Sequence, residues 1–128
     1  MSSAQPKSIL LIDDDRDVLE SLADFLKRNG YAVLSCDNGK DGLRLAKKDS
    51  PALIILDLIL PDIDGSDVAA ELLQNPTTRN IPIIFLTAVM TKAEQEASGE
   101  FIANRCIVAK PCKPSRILEL VKSHIGAA

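Results

Sequence analysis

Four short apolar runs in this chain each end on residues able to do chemistry. Ile9 to Ile12 is followed by Asp13, Asp14 and Asp15, Leu53 to Leu56 by Asp57, Ile81 to Leu86 by Thr87-Ala88, and Cys106 to Ala109 by Lys110-Pro111. Short runs of this kind, bounded by turn formers, read as strands buried on both faces. Tyr31 to Cys36 reads as a further strand, second in order.

Amphipathic segments fill the intervals. Val18, Leu19, Leu22, Phe25 and Leu26 stand at helical spacing, Lys27 and Arg28 suit the negative end of that helix, and Asn29-Gly30 stops it. Asp37-Asn38-Gly39 turns into a weakly amphipathic helix with Leu43, Leu45 and Ala46, which Ser50-Pro51 breaks. Pro61, Asp62, Asp64 and Gly65 form the turn after Asp57, and Val68, Ala69, Leu72 and Leu73 mark a helix ending at Asn75-Pro76. Thr91 with Glu94 has the form of a capping box and predicts a short helix, and Pro114 opens a last one with Ile117, Leu118, Val121 and Ile125.

Five strands alternating with five helices predict an α/β fold, a doubly wound five-stranded parallel sheet with helices on both faces. Residues 1–128 make one domain, with 1–7 a flexible polar tail. The common strand order at this size is 2-1-3-4-5, which makes the first and third strands neighbours at the switch point. Asp13, Asp14 and Asp57 then converge in one crevice at the carboxyl edge, with Thr87 and Lys110 on its other side.

Charge and composition remove other classes. A net charge of −3 and a pI near 5.1, with no basic stripe, argue against direct nucleic-acid binding. No apolar run is long enough to cross a membrane and the amino terminus carries no apolar signal, so the expected location is cytoplasmic. Cys36, Cys106 and Cys112 show neither a CxxC spacing nor a histidine cluster, and read as small hydrophobes.

Three carboxylates in one crevice repel one another and call for a cation. All-oxygen ligands suit Mg²⁺ or Mn²⁺, whereas zinc would ask for His or Cys. Beside such an ion a carboxylate can attack a phosphoryl group and form an acyl phosphate. Lys110 adds positive charge, the Thr87 hydroxyl a hydrogen bond, and Ala88 a small entrance. Each residue has a plainer use as well: Asp13 to Asp15 as a helix cap, Thr87 as a turn hydroxyl, Lys110 as a solvated charge. Their recurrence after four strands, on the edge where sites form, favours the phosphoryl or metal site.

The acids closing LLIDDD, the LDLILPDIDG segment, Leu86-Thr87-Ala88 and Lys110-Pro111 together resemble the response-regulator receiver domain of two-component signalling, over nearly the whole chain. The resemblance implies a flavodoxin-like fold and transfer of a phosphoryl group to Asp57 from a histidine kinase or a histidine phosphotransfer protein. It implies Mg²⁺ held by Asp14 directly, by Asp13 largely through water, by Asp57 and by the Ile59 backbone carbonyl, with Thr87 and Lys110 on the phosphoryl oxygens. It also implies a cis Lys110-Pro111 bond. Such a domain is a phosphorylation-dependent switch of partner binding, not an enzyme. A phosphohydrolase of the haloacid-dehalogenase type would carry a second aspartate at position 59, where this chain has Ile59.

The chain departs from the receiver pattern at Ile107, where an aromatic is usual, and at Ala103-Asn104, where Gly-Ala is usual. His124 reads as a surface histidine near a helix end rather than an internal phosphodonor. The apolar faces of the last two helices fit either core or partner surface, so a homodimer stays open.

Overall fold

In a computed structural model, residues 6–87, 105–110 and 112–128 are described, Thr87 and Arg105 by backbone alone. Five strands, β1 (Ser8–Ile12), β2 (Ala32–Cys36), β3 (Leu53–Leu56), β4 (Ile83–Thr87) and β5 (Arg105–Ala109), form one parallel sheet in the order β2-β1-β3-β4-β5. The described helices are α1 (Arg16–Arg28), α2 (Gly39–Asp49), α3 (Gly65–Gln74) and α4 (Pro114–Ile125). The short helix expected from Thr91 lies outside the described residues. None of these helices is long and apolar enough to cross a membrane.

Successive side chains on a strand point to opposite faces, so each apolar run feeds two cores. Ile9, Leu11, Leu53, Ile55, Ile84 and Leu86 pack with Leu19, Leu22 and Leu26 of α1 and with Ile117 and Val121 of α4. Their alternates Leu10, Ile12, Ile54, Leu56, Ile83 and Phe85 pack with Leu43 and Ala46 of α2 and with Val68, Ala69 and Leu72 of α3. Burying a Leu or Ile side chain contributes about 1.5–3 kcal/mol, so the central strands, buried twice over, hold the sheet. The cysteines are half-buried members of these clusters, and burial pushes the Cys36 thiol up to about 11.

Strand ends move slightly from their sequence positions, for local reasons. Tyr31 N–H still closes the end of α1 on Leu26 O, so β2 begins one residue later, at Ala32. Ile81 N–H is taken by Thr78 O, so β4 begins at Ile83 and runs through Thr87. Pairing of Ile83 with Arg105 draws β5 one residue earlier than Cys106.

Lys7, at the end of the polar amino-terminal segment, donates to Ile125 O at 2.5 Å and to Ala127 O at 3.0 Å. A cation there complements the negative end of α4. Tyr31 Oη donates to Gly126 O at 2.7 Å, so the turn after α1 holds the same helix end.

Candidate functional site: an acidic crevice with a half-buried lysine

The register of β1 on β3 pairs Ile12 with Leu56, so one step further along both strands stand Asp13 and Asp57. The ladder continues to that point: Asp57 N–H donates to Ile12 O at 2.9 Å, and Asp13 N–H to Cys36 O at 3.2 Å. Asp13 continues the parity of Leu11 and Asp57 that of Ile55, so both carboxylates lean to the α1 side of the sheet. The same parity on β5, through Cys106 and Val108, leads to Lys110.

Gly65 lets α3 start close under this edge. A Cβ there would collide with the Asp57 carbonyl oxygen, and Gly65 N–H instead donates to Leu58 O at 2.8 Å. The chain therefore reverses tightly after Asp57 and keeps the acid at the lip of the sheet.

Asp13 and Asp57 are 4% and 6% exposed, whereas Asp14 is open to solvent. Each buried carboxylate uses one oxygen on a backbone amide: Asp13 Oδ1 accepts from Asp15 N–H at 2.9 Å, and Asp57 Oδ1 from Ile59 N–H at 3.1 Å. Each gives the other oxygen to Lys110, whose Nζ lies 2.7 Å from Asp13 Oδ2 and 3.2 Å from Asp57 Oδ2. Burial raises the pKa of Asp13 most; the hydrogen bonds from Lys110 and the Asp15 amide oppose it, and the negative charge of Asp57 adds to it. For Lys110, burial pulls downward, but the hydrogen bonds and charges of Asp13 and then Asp57 prevail, and the ammonium is held above its ordinary value.

One carboxylate oxygen from each of Asp13, Asp14 and Asp57 falls within 4.8 Å of the others. This is a cluster of hard oxygen donors, two of them buried, and it fits a small divalent cation. Lys110 already lies among the acids as a monovalent counter-charge.

Of the predicted site residues, Asp13, Asp14, Asp57 and Lys110 come together. Ile59 follows two residues after Asp57 with its side chain 51% exposed. Thr87 closes β4, but its side chain, like Ala88 and Pro111 and hence the expected cis bond, lies outside the described residues. Helix capping falls to Asp15, which accepts from Asp17 N–H at 3.0 Å and Val18 N–H at 3.3 Å. The cap reading thus holds for one of the three consecutive aspartates and leaves Asp13 and Asp14 to the crevice. His124 turns its Nδ1–H inward to Leu120 O at 2.8 Å, on α4 and away from the acids in sequence and fold.

Asp62 was legible only as a turn residue. Its carboxylate in fact reaches Gly39 N–H at 2.7 Å and Lys40 N–H at 2.9 Å. No local pattern announces a contact between residues 23 apart.

A parallel sheet of order 2-1-3-4-5 with paired acids and a lysine on its carboxyl edge defines a receiver-type α/β domain. Residues 9–122 match the response regulator receiver domain model, and the chain belongs to that family. The polar-differentiation response regulator DivK of Brucella anthropi is 30% identical over 123 residues, spanning 96% of this chain and 99% of that protein. The receiver domain of a sensor histidine kinase from Pseudomonas aeruginosa, solved with a magnesium ion in its active-site cleft, superposes with a TM-score of 0.83 at 27% identity, covering 95% of this chain and 99% of that one. A response regulator structure from Chloroflexus aurantiacus gives a TM-score of 0.82 at 34% identity, with 94% and 98% covered.

Proposed function

We propose that this receiver domain takes a phosphoryl group onto Asp57 from the phosphohistidine of a histidine kinase or histidine phosphotransfer protein, in a reaction that requires a divalent cation. The observation that carries this reading is the sharing of Lys110 between the buried carboxylates of Asp13 and Asp57. A nucleophilic carboxylate needs neighbouring positive charge to meet a phosphoryl group, and this crevice supplies it from its own chain.

In the step itself an Asp57 carboxylate oxygen forms a bond to phosphorus as the bond from phosphorus to the donor's imidazole nitrogen breaks. The imidazole leaves with the bonding pair and takes a proton, and Asp57 becomes an acyl phosphate. Lys110, already beside Asp57, is assigned one phosphoryl oxygen and the Thr87 hydroxyl a second. Asp13, Asp14, Asp57 and the Ile59 carbonyl are the candidate ligands of Mg²⁺, with Mn²⁺ a chemical substitute. When bound, the ion offsets charge on the phosphoryl oxygens. The magnesium in the similar Pseudomonas aeruginosa domain supports this choice.

The outcome is a change in partner binding, so the domain acts as a switch in the cytoplasm rather than as an enzyme turning over a substrate. Incubation with a small acyl-phosphate donor and Mg²⁺ tests the reading by intact mass. The expected result is a gain of one phosphoryl group that EDTA abolishes; a gain indifferent to EDTA contradicts the metal requirement, and no gain contradicts the phosphoacceptor.

A further inference from the structure

The segment joining β3 to α3 carries the reactive carboxylate and is fastened at both ends. Asp57 Oδ1 accepts from Ile59 N–H at its start, and Gly65 N–H donates to Leu58 O at its close. Its middle is fastened to a different element. Asp62 spreads its two carboxylate oxygens over the first amides of α2, Oδ1 on Gly39 N–H at 2.7 Å and Oδ2 on Lys40 N–H at 2.9 Å. The next residue, Ile63, lies so close to Gly39 that a Cβ there would collide with it.

The first amides of a helix have no partner within the helix and are commonly capped by the residue just before it. Here Asn38 Oδ1 serves Asp41 N–H at 2.9 Å, while Gly39 and Lys40 are served from the site loop instead. The hydrogen bond from Gly39 leads the interactions that hold the Asp62 carboxyl below its ordinary value, so the contact is made by a carboxylate. Between Asp62 and Ile59 there is little slack. Leu60 is buried in the α2–α3 core and Pro61 has a fixed φ.

We propose that Asp62 is a positioning residue for the phosphoryl site, its forked grip on α2 fixing where the loop presents the Ile59 carbonyl and the Asp57 carboxylate. The inference rests on the proposed function and adds to it that α2 and the reaction centre form one mechanical unit. Loss of the grip lets the loop drift, and a displaced oxygen ligand weakens metal binding and misaligns the nucleophile.

The test compares the wild type with Asp62→Ala and Asp62→Asn. Calorimetric titration gives Mg²⁺ affinity, intact mass gives the rate of phosphorylation by a small acyl phosphate, and amide exchange reads Gly39 and Lys40. The expected result for Asp62→Ala is Mg²⁺ binding weaker by about tenfold and slower phosphorylation, with lost protection at both amides. Asp62→Asn retains one carbonyl acceptor and falls between. A variant whose melting temperature or amide protection drops while Mg²⁺ affinity and phosphorylation rate stay at wild-type values overturns the proposal, leaving Asp62 a helix cap. Should Asp62→Ala fail to fold, the same comparison on Asp62→Asn decides. A wild type that binds no Mg²⁺ overturns the functional reading, and the inference with it.

Discussion

Lys110 Nζ lies nearer to Asp13 than to Asp57, 2.7 Å against 3.2 Å, so the lysine's shorter contact is with the acid that is not the candidate nucleophile. One ammonium is therefore shared by two buried carboxylates, leaves one of their negative charges uncompensated, and occupies space that a divalent cation would claim. An added divalent cation would compete with the protein's own cation for the same carboxylate oxygens.

That competition predicts the behaviour of Mg²⁺. At ~100 times its dissociation constant Mg²⁺ stabilises the fold by about 2.7 kcal/mol if the unfolded chain does not bind it, and Asp14→Ala removes most of that gain. Lys110→Met removes the competing charge and tightens Mg²⁺ binding, by about tenfold, while slowing phosphorylation. Calorimetric titration and thermal unfolding read both effects. Weaker Mg²⁺ binding in Lys110→Met contradicts the competition.

Asp13 predicts a stability effect of definite sign. Its folded pKa lies above the ordinary 3.8, burial being the largest cause, so ionising it costs the folded state more than the unfolded one. Asp13→Asn accordingly stabilises the Mg²⁺-free domain at pH 7, and the gain shrinks as pH falls through the raised folded pKa and vanishes below about 3.8, where both states are protonated. Denaturant unfolding at several pH values checks this. A variant less stable than the wild type at pH 7 would mean that the pairing with Lys110 outweighs burial.

These residues were legible because strands buried on both faces announce themselves as apolar runs, and the first polar residue after each run marks the sheet edge. Asp13 after Ile12, Asp57 after Leu56 and Lys110 after Ala109 needed only the strand order to be brought together. The division of Ile9 and Leu11 from Leu10 and Ile12 between two cores was hidden, since a run apolar throughout shows no alternation. The grip of Asp62 on α2 was hidden for another reason: it depends on how two loops approach in space, and a carboxylate after proline looks like any turn residue. Boundaries failed where a turn hydrogen bond competes with the ladder, as at Ile81.

Ile59 predicts a long-lived acyl phosphate. Hydrolysis needs a water aligned in line with phosphorus, and this half-exposed aliphatic side chain beside Asp57 offers it no hydrogen bond. Ile59→Asn speeds loss of the phosphoryl group, measured by intact mass over time after donor removal. An unchanged or slower loss contradicts the prediction.

Ile107 predicts which strand stays quiet on phosphorylation. It packs half-buried against the α2–α3 core cluster, and a β-branched side chain on a strand is stiff about χ1. Amide exchange of the phosphorylated and unmodified domain is expected to leave Cys106 to Ala109 unchanged. Altered protection centred on Cys106 to Ala109 would show that the isoleucine moves with the signal.

The central claim is that Asp57 alone accepts the phosphoryl group. An acyl phosphate is reduced by borohydride to an alcohol, so an aspartate that carried it becomes homoserine and can be located by peptide mass spectrometry. After phosphorylation by a small acyl-phosphate donor with Mg²⁺, the account predicts homoserine at position 57 alone, and none in Asp57→Asn. Homoserine at Asp13, Asp14 or Asp62, or labelling that persists in Asp57→Asn, would contradict it.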